Sequence, residues 1–140
     1  MPKRNGGHCV ATVEVTTANF DTVVGDADFA LVDFWASWCG PCRMFGPIFE
    51  LASDKHDDLV FAKVDTEAQP ELAQAFGITS IPTLMVIRDK VIVYAQPGAI
   101  PEGSLEQLIS QARELDMAEV KAEINAKQTE EVSATEDADA

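Results

Sequence analysis

Two cysteines three positions apart, Cys39 and Cys42, are the residues of this 140-residue chain best placed to do chemistry. Gly40 and Pro41 stand between them, and the six residues before, Ala30 to Trp35, are apolar except for Asp33. Their β-branched and aromatic content predicts a strand buried on both faces, and Cys42 to Asp54 reads as a helix. The thiols therefore sit where a strand becomes a helix. A first helical turn has unpaired N–H groups and the positive end of the dipole, which favour a thiolate over a thiol. Cys39, at the helix entrance, is expected to be the reactive, anionic sulfur. Cys42, three residues on and facing the same side, can close a disulfide with it. Pro41 suits the first turn, where its missing N–H costs nothing. Asp33 is an ionisable group inside an apolar strand; desolvation raises a carboxyl's pKa toward the range useful for proton transfer, so it is the candidate acceptor for the Cys42 proton. The other reading of Asp33 is a structural carboxylate paired with Lys63, since a nearby ammonium lowers the cost of burying the charge.

Two other uses of the cysteines fit less well. A structural zinc needs four ligands, and only Cys9, His8 and His56 remain, with no second C-x-x-C and no H-x-x-x-H among them. A disulfide that merely braces the fold belongs to an oxidising compartment, whereas Lys3 and Arg4 lead into Asn5, Gly6 and Gly7 and not into the apolar segment of a secretory signal. The expected location is cytoplasmic, where a dithiol can be kept reduced.

The elements that must position these groups are legible around them. Val10 to Val15 alternates as a first strand with Val13 and Val15 on one face. Thr17 is placed to cap a short helix carrying Phe20, Val23 and Val24, ended by Gly25. Pro47 falls inside the cysteine-bearing helix, where a bend is expected, with Ile48, Phe49 and Leu51 continuing the buried face. Leu59 to Val64 reads as a third strand and Glu67 to Phe76 as a helix capped by Gly77. Thr83 to Ile87 and Val91 to Ala95 lie too close for a crossover and predict a hairpin. Pro101 opens a last helix with an apolar stripe of Leu105, Leu108, Ile109, Ala112 and Leu115. The order β-α-β-α-β-α-β-β-α is an α/β fold with a mixed sheet.

At this length the chain can bury about two-thirds of its unfolded surface in one domain. Residues 1–9 read as a flexible leader, 10–116 as the domain and 117–140 as an acidic extension. In that extension Met117, Val120 and Ile124 are placed to prolong the last helix, and Lys127 to Ala140 has the composition of a disordered tail. The net charge is −14, and Glu114 to Ala140, with nine acidic residues and two lysines, holds −7 of it. That balance argues against a nucleic-acid partner, whose phosphates it would repel. No run approaches the roughly 20 apolar residues of a membrane-spanning helix. Cys9 is unpaired by count and reads as a small residue opening the first strand.

W-C-G-P-C at Trp38 to Cys42, preceded by V-D-F-W-A, is followed by K-V-D at Lys63 to Asp65, F-G-I-T-S-I-P-T-L at Phe76 to Leu84, and P-G-A at Pro97 to Ala99. In this order the blocks resemble the thioredoxin family over about residues 12 to 115. The resemblance implies the thioredoxin fold, a central sheet of about five strands flanked by about four helices. It implies a redox-active Cys39–Cys42 disulfide, for whose acidic thiol thioredoxins are themselves a standard example. It further implies Asp33 and Lys63 behind that disulfide, with Lys63 tuning Asp33, and a cis bond at Ile81–Pro82 opposite the cysteines. Trp38, Gly40, Pro41, Ile81, Pro82, Pro97, Gly98 and Ala99 match the surface on which thioredoxins dock substrates. The implied activity is reduction of protein disulfides by a monomer that binds no cofactor and receives electrons from NADPH through thioredoxin reductase. Ser37 stands where an acidic residue is frequent and Arg43 where a lysine is, both bearing on the acidity of Cys39; Pro97 replaces a common valine. An oxidase or isomerase of the same fold, which usually carries histidine between the cysteines, and a scaffold or chaperone subunit with incidental thiols are the alternatives.

Overall fold

Strand β2, Phe29–Trp35, has its five inner residues buried, and the rest of the molecule is laid around it in a computed structural model that describes residues 11–126. The leader, Cys9 and the tail expected at 127–140 lie outside the described residues. β3 (Val60–Asp65) runs parallel to β2 on one side, with β1 (Thr12–Glu14) parallel beyond it. β4 (Thr83–Arg88) runs antiparallel on the other side and pairs with β5 (Val91–Pro97). The order β1-β3-β2-β4-β5 puts β2 at the centre of a five-stranded sheet, mixed as the element order predicts.

Alternation along the strands sorts the core into two layers. Leu31, Phe61, Leu84 and Val86 cluster with Phe45, Phe49 and Ala52 of α1 (Gly40–Lys55) and with Leu105, Ile109 and Ala112 of α3 (Glu102–Arg113). Val32, Phe34, Ala62, Val64 and Met85 face the opposite way, toward Val24 and toward Leu72 of α2 (Pro70–Ala75). Phe49 is fully buried, its ring 5.8 Å from that of Phe45 and 5.2 Å, edge on, from that of Phe61. Phe49→Ala opens a cavity beneath the helix that carries the cysteines and is expected to cost about 3–5 kcal/mol in urea unfolding.

The local details depart from expectation in instructive places. β1 is shorter than Val10–Val15, and Val13 is exposed while Val15, just past the strand's end, is buried in the core with its N–H on the Lys63 carbonyl. The first helical segment is a π-turn, Asp21–Gly25, and Thr17 does not cap it: the Thr17 N–H donates to Gln69 Oε1, while Asn19 Oδ1 accepts from Thr16 N–H at 2.7 Å and organises the preceding turn. α1 runs unbroken through Pro47. Leu51 is half exposed rather than buried; the buried stripe passes instead through Phe49, Ala52 and Ser53. The β4–β5 hairpin turns on Asp89 and Lys90, both at positive φ (52° and 68°), the backbone of a two-residue turn whose twist matches that of the strands. Gly77, at φ +64°, ends α2 in the left-handed conformation expected of it.

The last helix is not prolonged. α3 stops at Arg113, Arg88 Nη1 donates to the Ala112 carbonyl at 2.8 Å, and a separate helix occupies 117–126. Asp116 Oδ1 accepts from Glu119 N–H, the side-chain cap of a new helix start, and Met117 is buried. Among the described residues no helix is long and apolar enough to cross a membrane.

Candidate active site

The sheet ends where the cysteines begin. β2 finishes at Trp35, Ala36 is buried, and Cys39 takes an extended backbone (φ −85°, ψ 117°) as the N-cap of α1. Its Sγ accepts the Cys42 N–H at 3.2 Å, one of the donors a helix start leaves unpaired. Pro41 lies in the first turn, as expected. Cys39 and Cys42 are joined as a disulfide with a Cα–Cα separation of 5.2 Å. Each residue is only 4% exposed, so enclosure does not separate them in the oxidised state; position on the helix does. Cys39 holds the capping site, and Cys42 is one turn inside.

Across from the pair, Ile81–Pro82 is a cis peptide bond, and the Ile81 carbonyl oxygen lies 3.7 Å from Cys39 Sγ. Ala36, Cys39, Cys42, Trp35 and Ile81 form one small apolar cluster. Gly98, at φ +106°, donates its N–H to the Pro82 carbonyl at 2.7 Å, which ties the end of β5 to this loop. Of the residues matched to a docking surface, Gly40, Pro41, Pro97, Gly98 and Ala99 are exposed, Trp38 is 63% exposed, and Ile81 is half-buried. Pro82 itself is buried, so what this loop can offer a ligand is the backbone and side chain of Ile81. Arg43 Nη1 donates to the Ser37 carbonyl at 3.0 Å, so the two positions singled out for Cys39 acidity touch each other.

Asp33 lies on the same face of β2 as Leu31 and Trp35, the face turned toward α1. It is 1% exposed, and neither carboxylate oxygen has a hydrogen-bond partner among the described residues. Burial pushes its carboxyl up to about 7; the Lys63 ammonium works against that rise and the Glu50 carboxylate adds to it. Lys63 is the register partner of Asp33 on the parallel strand β3, but its Nζ donates to Glu50 Oε2 at 3.2 Å, so the alternative reading of Asp33 as a carboxylate paired with Lys63 is not the arrangement found. The ammonium also stands 5.2 Å from the centre of the Trp35 ring. Trp35, expected in the core, is half-buried, with its indole N–H covered and without a hydrogen-bond partner among the described residues.

Glu50 is the site residue that the sequence reading misses. Its signal is helical spacing: Gly46 and Glu50 fall four and eight residues after Cys42, on one face of α1, and a polar residue on that face needs a buried partner. A Cβ on Gly46 would lie 3.8 Å from Lys63 Nζ, so the ammonium passes close to bare backbone there.

A cysteine capping a helix, a second cysteine one turn in, a cis-proline loop opposite and a buried carboxylate on the strand that leads into them define a thiol–disulfide oxidoreductase. The profile of the family described as Thioredoxin matches residues 11–111. The chain is 60% identical over 120 residues to the Streptomyces coelicolor protein named "Putative thioredoxin 2", covering 86% of this chain and 90% of that one. It is 43% identical over 100 residues to a thioredoxin of Chlorobaculum thiosulfatiphilum, covering 70% and 93%. Among solved structures it is similar to the thioredoxin of Malassezia sympodialis, with a TM-score of 0.67 and 32% identity over 78% of this chain and 96% of that one. The chain belongs to the thioredoxin family, and its Cys39–Cys42 pair is the redox-active disulfide of a protein-disulfide reductase.

Proposed function

We propose that the reduced protein donates two electrons to client disulfides through Cys39, with Cys42 completing each cycle. Cys39 thiolate attacks one client sulfur, forming a mixed disulfide and expelling the other client sulfur as a thiolate. Cys42 then passes its proton to the Asp33 carboxylate and attacks Cys39 Sγ. The Cys39–Cys42 bond forms, the mixed disulfide breaks, and the second client thiolate leaves and takes up a proton. Lys63 tunes Asp33 from the neighbouring strand. Clients lie as an extended segment over Trp38, Gly40, Pro41, Ile81, Pro97, Gly98 and Ala99, hydrogen-bonding the Ile81 backbone as an added strand would. The single observation that carries this reading is Cys39 Sγ at the N-cap of α1, holding the Cys42 N–H and facing Ile81.

Electrons come from NADPH through a flavin-dependent thioredoxin reductase, with no cofactor held by this chain, and the protein works as a cytoplasmic monomer. An NADPH- and reductase-coupled insulin-reduction assay tests the proposal. Wild type is expected to consume NADPH, and Cys42→Ser to accumulate a covalent adduct with insulin that dithiothreitol releases. No turnover by wild type, or Cys42→Ser turning over normally, overturns it. Equilibration with glutathione tests direction; a potential as oxidising as that of the disulfide isomerases, about −180 mV, would reassign the protein to oxidation or isomerisation.

A further inference from the structure

Two carboxylates compete for one ammonium behind the disulfide, and the outer one holds it. Lys63 Nζ is 3.2 Å from Glu50 Oε2, with the Trp35 ring on another side and Gly46 leaving room for it. Asp33, directly across the register on β2, is buried with both oxygens unpartnered. Glu50 is 34% exposed and Lys63 16%, so the pair sits at the rim, where water offsets part of its desolvation cost. We propose that Glu50 is a positioning residue for the proton transfer at Cys42: by hydrogen-bonding Lys63 it keeps that ammonium from closing onto Asp33, so that Asp33 stays a free, unpaired proton acceptor. This rests on the redox reading above.

The groups facing Asp33 are few. β3 supplies Lys63, and α1 supplies Glu50. β4 places Leu84 opposite it, which cannot titrate. Asp65, the next acidic residue on the same face of β3, is occupied by the N–H groups of Glu67 and Ala68. In the oxidised protein the cysteines do not titrate, which leaves Lys63 and Glu50 as the charges that set Asp33. An ammonium brought into direct contact lowers an aspartate's pKa by about 1–3 units.

The test is the titration of the Asp33 carboxyl carbon, followed by carbon-13 NMR of full-length oxidised protein with labelled aspartate and assigned by its loss in Asp33→Asn. In Glu50→Gln the midpoint is expected to fall by at least about 1 pH unit. Glu50→Asp, which keeps the charge, should restore most of the wild-type value. In a Lys63→Met background, Glu50→Gln should shift the midpoint far less than it does when Lys63 is present. An unchanged or raised midpoint in folded Glu50→Gln overturns the proposal. So does an equal shift with and without Lys63, which would mean that Glu50 acts by its own charge alone. Insulin reduction by wild type, run in parallel, tests the redox reading independently, because titration of the oxidised protein does not pass through turnover.

Discussion

Cys39→Ser should lower insulin reduction by at least about a thousandfold while leaving a folded protein. A serine hydroxyl is a far weaker nucleophile than a thiolate at neutral pH. The fold should survive because serine is itself a preferred N-cap: its Oγ can accept the Cys42 N–H that Cys39 Sγ now holds. Cys39→Ala removes both functions and should cost about 1 kcal/mol more in stability than the serine variant. The comparison is made by urea unfolding under reducing conditions, so that loss of the disulfide does not enter. Retention of the biological activity by Cys39→Ser would instead establish the protein as a scaffold whose thiols are incidental.

Asp33→Asn carries the largest expected gain in stability, and the gain depends on pH. Burial raises the Asp33 carboxyl from the ordinary 3.8 to about 7 in the folded protein, against the pull of Lys63 and with the help of Glu50. Between about pH 4 and 7 the unfolded chain has lost this proton and the folded protein still holds it, so stability falls as pH rises through that window and stays low above it. A displacement of this size corresponds to about 4 kcal/mol. Asparagine is neutral at every pH and occupies nearly the same space, with a polar group as unpartnered as the protonated carboxyl it replaces. The variant should therefore match wild type near pH 4 and exceed it by about 4 kcal/mol above pH 8, read from urea midpoints at the two pH values. It should also resolve mixed disulfides more slowly, having lost the acceptor for the Cys42 proton. Equal stabilities above pH 8 would show that Asp33 ionises without penalty.

These two outcomes pull in opposite directions for a shared reason. A carboxyl that titrates near neutrality is useful to a thiol that must be deprotonated in the cycle, and it has that value chiefly because it is buried with no hydrogen-bond donor among the described residues. Stability is lowered where the chemistry needs it to be.

Much of this was legible in one dimension. The apolar run ending at Trp35, the Cys39-Gly40-Pro41-Cys42 step into a helix and the short gap between the last two strands are local patterns, and local sterics and hydrogen bonding decide them. The blocks that resemble thioredoxins carry the sheet order and the cis-proline loop. What the pattern misplaced lies where local preference is weak or overruled. Leu51 fits a generic apolar stripe, but burial follows the line through Phe49, Ala52 and Ser53. Met117 and Val120 fit a continuing helix, yet the break after α3 is stabilised by Arg88 reaching from β4 and by Asp116 capping a fresh start.

By itself the sequence determined which two cysteines pair, which of them caps the helix and which carboxyl is buried in the strand before them, because each follows from neighbours within a turn or a strand. Tertiary structure alone decided that Lys63 turns to Glu50 and leaves Asp33 unpaired, and that Gly98 holds the Pro82 carbonyl. Those choices join groups 13 and 16 residues apart that meet only once the strands and α1 have packed. Charge competition and backbone approach of that kind depend on distance in space, which spacing along the chain does not contain.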